Sequence, residues 1–160
     1  MTMKKVELKS LAEYFGGRLP AGKIADRDTR IAIVRLYGTL AVANKGVMDE
    51  IEEVRKGLVG DKEADIRKWA ALVQKAHDEK AKPADRKKAQ AEADAMADCV
   101  RIDKDYQEAV AKLLAEDIKP ELRKVSLEQM FDALADCGFP NLDPNIPLAA
   151  VAEMFKDVIE

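Results

Sequence analysis

The sequence has few of the residues on which catalytic and metal sites depend. Its 160 residues include one histidine and two cysteines, and aromatic residues make up 5%. With His77 as the only histidine, the paired Glu-x-x-His motifs of di-iron bundles and any triad that needs a second histidine are excluded. Cys99 and Cys137 are too few for a disulfide scaffold and too far apart for a C-x-x-C motif. We therefore expect no catalytic residue, no metal and no cofactor.

Long apolar runs and an excess of positive charge are missing as well. No stretch approaches the roughly 20 consecutive apolar residues of a membrane span, and the charged start MTMKKVELKS has no apolar run behind it. Lysine and arginine number 27 against 30 acidic residues, a net charge of −3, which disfavours nucleic acid as the main partner. These absences predict a cytoplasmic protein with reduced thiols that does not contact a membrane.

Residues that favour helices dominate, and the clearest helical pattern begins at Asp26, Asp28 or Thr29, any of which is a suitable N-cap. A heptad-like apolar row then continues for about 30 residues. The row consists of Ile33, Tyr37, Leu40, Asn44, Val47, Ile51, Val54 and Leu58, and Val34, Ala41 and Met48 widen it. Gly38 and Gly46 fall on nearly the same side of this helix, which predicts either close approach of another backbone or a kink.

Two more long helices are expected, joined by a stretch from Gln74 to Ala95 that lacks large apolar side chains. Gly57 and Gly60 are expected to end the preceding helix, and Asp61 is expected to cap the next one. Pro83 suits the first turn of a new helix, so we place a turn near Lys82; a single helix kinked at the proline is the alternative. The helix after the turn is predicted from Ala84 to Asp117, with an inner row of Ala91, Ala95, Cys99, Ile102, Tyr106, Val110 and Leu113.

Shorter helices are expected at both ends of the chain. Ser10 is a candidate N-cap for the first, which Gly16 and Gly17 stop. Ser126 and Gln129 make an S-x-x-Q capping box for a later helix. The C-cap of that helix is Gly138, Pro147 opens a terminal helix, and Phe131, Phe139 and Phe155 are expected to pack with Tyr14 and Phe15.

Together these patterns predict an all-α fold: an antiparallel helical bundle or long helical hairpin with short capping helices at the N and C termini. We expect a single domain over residues 1–160. Its parts are a short N-terminal segment (1–25), a long-helix bundle (26–118) and a C-terminal helix-loop-helix (119–160).

One motif imitates a nucleotide-binding loop. Residues 17–23, GRLPAGK, satisfy G-x-x-x-x-G-K, the spacing that lets backbone amides surround phosphates. Ile24 stands where the magnesium-binding hydroxyl is required, the preceding LAEYF looks helical, and no alternation of strands and helices follows. We therefore expect a turn here. The carboxylates Glu92, Asp94, Asp98, Asp103, Asp105 and Glu108 share a helix and suggest a cation site or acid/base pair, but a water-facing stripe is the expected role.

The remaining candidate site is the basic turn, defined as Lys80, Lys82, Arg86, Lys87 and Lys88. These residues are a possible contact for an anion or a partner. Asp78, Glu79 and Asp85 are interleaved with them, and no aromatic residue is present for base stacking. The function that the sequence favours is a non-catalytic helical interaction, adaptor or assembly protein, acting through self-association or a protein partner. A nucleic-acid accessory protein that uses the basic turn is the alternative.

Overall fold

The computed structural model describes residues 2–17, 19–138 and 152–160, and these residues form an all-α protein. One 3-10 helix (Ala21–Lys23) and one pair of two-residue strands accompany the α-helices. The helices are α1 (Lys5–Gly17), α2 (Arg27–Val59), α3 (Glu63–His77), α4 (Pro83–Asp94), α5 (Ala97–Leu114) and α6 (Leu127–Asp136), and the strands are β1 (Met3–Lys4) and β2 (Asp117–Ile118).

Packing divides the chain into two compact units. The first contains residues 1–48 and 114–160, and the second contains residues 49–113. Helix α2 therefore contributes its first part to one unit and its last part to the other. The expectation of a single domain over residues 1–160 stays a prediction.

In the first unit, the N terminus is held by a short strand rather than by a capped helix. β1 pairs antiparallel with β2, with Met3 opposite Ile118. The amide of Lys5 donates to the Glu116 carbonyl at 3.0 Å, and its buried side chain places Nζ 2.8 Å from Glu116 Oε2. Helix α1 begins at once at Lys5, so the predicted N-cap at Ser10 is wrong. The strand pairing, which involves residues distant in sequence, decides where α1 starts.

Helix α2 begins with one of the predicted caps. Asp26 Oδ2 accepts the backbone amide of Thr29 at 2.6 Å, which satisfies one of the donors that a helix leaves unpaired at its N terminus. This hydrogen bond is the main reason why the pKa of Asp26 lies below its ordinary value. The negative charge of the carboxylate also interacts favourably with the positive end of the helix dipole.

The inward face of α2 differs from the predicted one. Leu36 is fully buried although it is absent from the predicted row. Tyr37, predicted in that row, is 39% exposed, and Val34 and Met48, expected to widen the inner face, are 52% and 42% exposed. A Cβ built at Gly38 or Gly46 meets no described atom within 4 Å, so close approach of a backbone is not the reason for these glycines. The most deeply buried large side chains of this unit are Leu8, Ile24, Ile33, Leu36, Leu40, Val47, Val125, Met130, Leu134 and Val158.

The C-terminal part confirms the predictions that rest on local chemistry. Ser126 and Gln129 form the complete capping box of α6, and Gly138 follows that helix with a φ of +60°. Phe155 packs on Tyr14 and Phe15, with ring centroids 5.7 and 6.1 Å away. The predicted helix start at Pro147 and the packing of Phe139 lie outside the described residues.

The second unit contains the helical hairpin that was predicted around Pro83. α3 ends at His77, Pro83 occupies the first turn of α4, and the two helices pack against each other. The start of α3 is displaced from the prediction, because Lys62 rather than Asp61 is the N-cap and makes no capping hydrogen bond with its side chain. Gly60 does end α2, with a φ of +54° that a side chain would strain. Gly57, predicted to end the helix as well, lies inside it.

The long helix predicted after Pro83 is two helices. Its interruption lies at Ala95 and Met96, and the second helix ends at Leu114 rather than Asp117. The Met96 amide donates to the carbonyl of Ala93, three residues earlier, at 3.0 Å instead of the α-helical partner four residues earlier. The Met96 carbonyl accepts hydrogen bonds from the amides of Cys99 and Val100. Met96 thus closes one helix and opens the next, with no proline or glycine to mark the place.

The small residues that face inward on α4 also differ from the predicted row. Ala89 and Ala93 are 2% and 1% exposed, whereas Ala91 and Ala95 lie at the surface. Further along, Cys99 and Ile102 are buried as predicted. The break at Met96 separates the two parts of the chain, so one continuous row does not describe both helices.

An ion-pair cluster in the second unit predicts weaker stability in acid. Both carboxylate oxygens of Glu63 lie 2.9 Å from Arg55 Nη2, and Arg67 Nε lies 3.1 Å away. The Arg55 and then the Arg67 hydrogen bonds hold the pKa of Glu63 below its ordinary value of 4.5. A carboxylate whose pKa is lower in the folded state stabilises the protein above its unfolded pKa, and this contribution disappears as the pH falls through the folded pKa.

We therefore expect the urea midpoint of the wild-type chain to fall between about pH 6 and pH 3, and to fall less in Glu63→Gln. Glu79→Gln is the control, because Glu79 makes no ion pair among the described residues, and it is expected to keep the wild-type pH dependence. Urea titrations followed by circular dichroism at each pH provide the measurement. If the urea midpoint fell equally with pH in Glu63→Gln and in the wild type, the ion-pair cluster would contribute nothing to the pH dependence of stability.

Candidate functional site

The residues of the basic turn lie on both sides of the start of α4. Lys80 and Lys82 lie between α3 and α4, and the other three lie in the first turns of α4. Arg86 and Lys87 share a hollow, about 240 Å³ in volume, whose other lining residues are Ala76, Pro83 and Gln90. Lys88 Nζ lies 4.0 Å from Glu92 on the same helix. The contact of this turn with an anion or partner stays a prediction.

The carboxylates of α4 and α5 bond to neighbours at the surface. Asp94 and Asp103 accept from Gln90 and Gln107 at 2.7 and 2.8 Å, each within one helix. The pKa of Asp98 is lowered, chiefly by its hydrogen bond with Lys62. Across residues 2–17, 19–138 and 152–160, no three His, Cys, Asp or Glu side chains converge as metal ligands do.

The residues of the G-x-x-x-x-G-K motif lie after a helix. Gly17 is the last residue of α1, and Ala21–Lys23 form a short 3-10 helix that is closed by the amide of Ile24. A phosphate-binding loop of this type follows a buried strand and opens a long helix. The preceding segment is helical, as the sequence predicted.

The most distinctive surface is on α2, where a row of large apolar side chains faces solvent. We call this row the outer ridge; its members are Ile31 (36% exposed), Val34 (52%), Tyr37 (39%), Val42 (76%) and Met48 (42%). At 3.6 residues per turn, these positions lie on a different side of the helix from the buried Ile33, Leu36, Leu40 and Val47. The first part of α2 is therefore apolar on two sides, and the first unit covers only one of them.

A groove of about 960 Å³ runs along one side of the outer ridge, and we call it the α2 groove. One wall is α2 and the other is the extended segment that follows β2. The Thr39 hydroxyl connects the two walls, because it donates to the Leu36 carbonyl at 2.8 Å and accepts the Arg123 amide at 3.1 Å. The lining residues are Arg35, Gly38, Thr39, Val42, Ala43, Ile118, Lys119, Pro120, Glu121 and Arg123.

The charges around the α2 groove are mostly positive. Arg35, Lys119 and Arg123 are exposed, and none of them has an ion-pair partner among the described residues. Glu121 is the one carboxylate in the lining, so three cations and one anion give a net charge of +2. The whole chain has a net charge of −3, and the groove is thus a local reversal of sign.

A second groove, of about 460 Å³, runs along the opposite side of the ridge between α1 and α2. Its lining includes Gly16, Ala41 and Asn44. A Cβ at Gly16 would lie 3.0 Å from the Tyr37 ring, so the absence of a side chain there lets Tyr37 lie against α1. Within the described part of the chain, Asn44 Oδ1 is buried and accepts no hydrogen bond.

Comparison with known proteins gives no match. No protein-family model fits this chain, and neither the curated proteins nor the solved structures include a significant similarity. The site is accordingly interpreted from its own chemistry.

Helix α2 is also long and apolar enough, by length and composition alone, to cross a membrane. The apolar stretch has a mean hydropathy of 1.2, and 22% of it is buried. Core helices of water-soluble proteins have the same length and composition, so these two properties do not decide between them. The outer ridge supplies much of this apolar character.

Part of the outer ridge is visible in the sequence as apolar residues beside the predicted inner row of α2, but the sequence pattern assigns these residues to the buried face. The sequence pattern places Tyr37 in the inner apolar row and predicts that Val34 and Met48 extend this row on a wider, buried face. Their exposure shows that the extension belongs to a second face. The α2 groove had no comparable signal, because its two walls are separated by about 80 residues of chain.

Proposed function

We propose that this chain is a non-catalytic helical interaction protein and that the outer ridge is its contact surface. The observation that carries the proposal is the exposure of five large apolar side chains within one part of one helix. Exposed apolar patches on folded proteins mark contacts with other molecules far more often than isolated apolar residues do. Covering such a ridge removes apolar surface from water, at roughly 25 cal/mol for each Å² buried.

The shape around the ridge favours a protein as the partner. Grooves of about 960 and 460 Å³ border the ridge on its two sides. An apolar row whose members also line two grooves suits an elongated element such as an amphipathic helix, which binds by inserting side chains at regular spacing. The partner is either a second copy of the chain or a different protein. A cytoplasmic location remains part of the proposal.

The proposal predicts that a charge on the ridge abolishes partner binding. Val34→Asp adds a carboxylate to a side chain that is already 52% exposed, so the fold has little to lose. Val100→Asp is the matched control, because Val100 is 41% exposed on α5 and lies off the ridge. The tagged chain and both variants are used to capture proteins from extracts of the cells in which the chain is made, and light scattering of the purified chain reports self-association.

The expected result is a partner that the wild type and Val100→Asp retain and Val34→Asp loses, by about tenfold or more in affinity. If the partner is a second copy, light scattering shows a dimer that Val34→Asp converts to monomer. Retention of every partner by Val34→Asp, with an unchanged oligomeric state, would contradict the proposed contact surface.

A nucleic-acid accessory role for the basic turn is the second candidate. The supporting observation is that Arg86 and Lys87 line one hollow next to Pro83. Binding of this kind depends on phosphate contacts, so it must weaken steeply with salt. Replacing Lys82, Arg86, Lys87 and Lys88 together by glutamate tests it with a labelled oligonucleotide. Binding insensitive to both salt and these substitutions would reject this function.

A further inference from the structure

We infer that the α2 groove binds an acidic segment of a different protein and that an apolar side chain of this segment lies over Gly38. The inference rests on the proposed interaction function and adds the chemistry of the partner. The exposed cations Arg35, Lys119 and Arg123, which we call the rim, predict the sign of the partner's charge. Gly38, which we call the floor, predicts where the partner is anchored.

The rim supplies the sign of charge. The side chains of Arg35, Lys119 and Arg123 meet around one concave surface and have no ion-pair partner among the described residues. Some exposed cations elsewhere on the chain are paired, as Lys4 is with Asp117 at 2.6 Å. Complementary charge on a partner speeds association and fixes orientation, so a rim with a net charge of +2 selects an acidic segment.

The floor supplies the anchoring position. Gly38 lies inside α2, where glycine costs about 1 kcal/mol relative to alanine. No described atom lies within 4 Å of a Cβ built there, so nothing inside the described structure requires this glycine. Val42, Ala43 and Ile118 line the same groove and contribute apolar atoms to it. A partner side chain seated there gains the contacts that the chain itself leaves unmade.

The walls of the groove are fixed before a partner arrives. The Thr39 hydroxyl bonds to both walls, and β2, which ends at Ile118, is paired with β1. A groove held by hydrogen bonds on both sides loses little conformational entropy when it is filled. The α2 groove is therefore a binding surface that is already formed before the partner binds.

Other occupants fit the same groove less well. Two copies of the chain that met groove to groove would bring Arg35, Lys119 and Arg123 of each copy together, and like charges repel. A nucleic acid has the required negative charge, but the lining contains no aromatic residue on which a base stacks. An anionic membrane surface contacts the rim but does not reach a concave floor, so Gly38 would not affect membrane binding.

The test measures binding of a fluorescein-labelled synthetic peptide of alternating glutamate and leucine to the full chain by fluorescence anisotropy. Gly38→Leu fills the floor, and Gly46→Leu is the matched control. Gly46 also lies inside α2 with no described atom near its Cβ, and it lies outside the groove lining. Both substitutions improve helix propensity, so neither is expected to unfold the chain. Arg123→Glu tests the rim and keeps the backbone amide that Thr39 accepts.

We expect Gly38→Leu to weaken peptide binding about tenfold or more and Gly46→Leu to leave it unchanged. Arg123→Glu is expected to weaken binding, with the larger loss at low salt. A lysine–leucine peptide should not bind, and a glutamate–serine peptide should bind more weakly than the glutamate–leucine peptide. Failure of the glutamate–leucine peptide to bind, or equal binding by Gly38→Leu and the wild type, would overturn the inference.

Two further probes identify a different occupant. The chain is also tested with phosphatidylserine vesicles and with a single-stranded oligonucleotide. If one of these ligands binds equally to the wild type and Gly38→Leu while the peptide does not bind, that ligand is the occupant and the inference is contradicted. A dimer broken by both Val34→Asp and Gly38→Leu would make a second copy the occupant of the groove, against the inference but in agreement with the proposed function. If Val34→Asp releases a captured partner while Gly38→Leu and Arg123→Glu retain it, the ridge stands and the groove assignment fails.

Discussion

Leu40→Ala is expected to lower the free energy of unfolding by about 2–5 kcal/mol. Leu40 is 0% exposed, on the same face of α2 as the fully buried Leu36 and Val47. Truncation removes buried methyl groups and leaves a cavity that close-packed neighbours fill only in part. Urea unfolding at constant temperature, followed by circular dichroism, measures the change.

Val42→Ala, two residues further along the helix, provides the comparison. Val42 is 76% exposed, so its truncation should change the free energy of unfolding by no more than about 0.5 kcal/mol. The contrast tests which side of α2 faces inward, and the existence of the outer ridge depends on that assignment. Similar losses from both substitutions would mean that Val42 is covered in the folded chain and that the ridge is not an available surface.

Ala93→Leu is expected to destabilise the chain by about 1–3 kcal/mol. Ala93 is 1% exposed on α4, and Ala89, one turn earlier, is 2% exposed. The second unit thus packs closely over small side chains on this face of α4, and a leucine placed there displaces its neighbours. The same urea titration measures the loss, and thermal unfolding provides an independent value.

Ala91→Leu is the control for this substitution. Ala91 lies at the surface of α4, and the sequence pattern had placed it in the inner row. Leucine and alanine have similar helix propensities, so this substitution should change stability by no more than about 0.5 kcal/mol. A large loss for Ala91→Leu with little loss for Ala93→Leu would restore the inner row predicted from the sequence.

The parts of the fold that follow from local chemistry could be predicted from the sequence. The capping box at Ser126 and the position of Pro83 in the first turn of α4 agree with the structure, and Asp26 is one of the three caps predicted for α2. Each depends on residues within one helical turn of each other, so the necessary chemistry is visible in a short window of sequence. The all-α class follows from the same helical patterning.

The parts that depend on distant residues could not be predicted. In α2, apolar residues lie on two sides of the helix, and periodicity alone does not show which side the rest of the chain covers. Leu36 is buried and Val34 is exposed only because of where the other helices lie. The break at Met96 likewise has no marker in the sequence, because the hydrogen bonds that define it involve ordinary helix-forming residues.

The candidate site shows the same division. The basic turn is visible as a run of charged residues, and the structure brings Arg86 and Lys87 of that run into one hollow. The α2 groove joins residues 35–43 to residues 118–123. Its second wall follows β2, whose pairing with β1 at the N terminus has no counterpart in the sequence pattern. The cations of the groove, Arg35, Lys119 and Arg123, are far apart in the sequence and so form no recognisable sequence motif.

Photo-cross-linking from the outer ridge tests the proposed function most directly. A photoreactive amino acid replaces Val34 on the ridge, or Val100 on α5 as the control, and the chain is irradiated in the cells that make it. The proposed function predicts a defined protein cross-linked from position 34, absent from position 100, and lost when Val42→Asp is added. Equal cross-linking from both positions, or none from position 34 under conditions in which position 100 reacts, would contradict the proposal that the exposed face of α2 is a protein-binding surface.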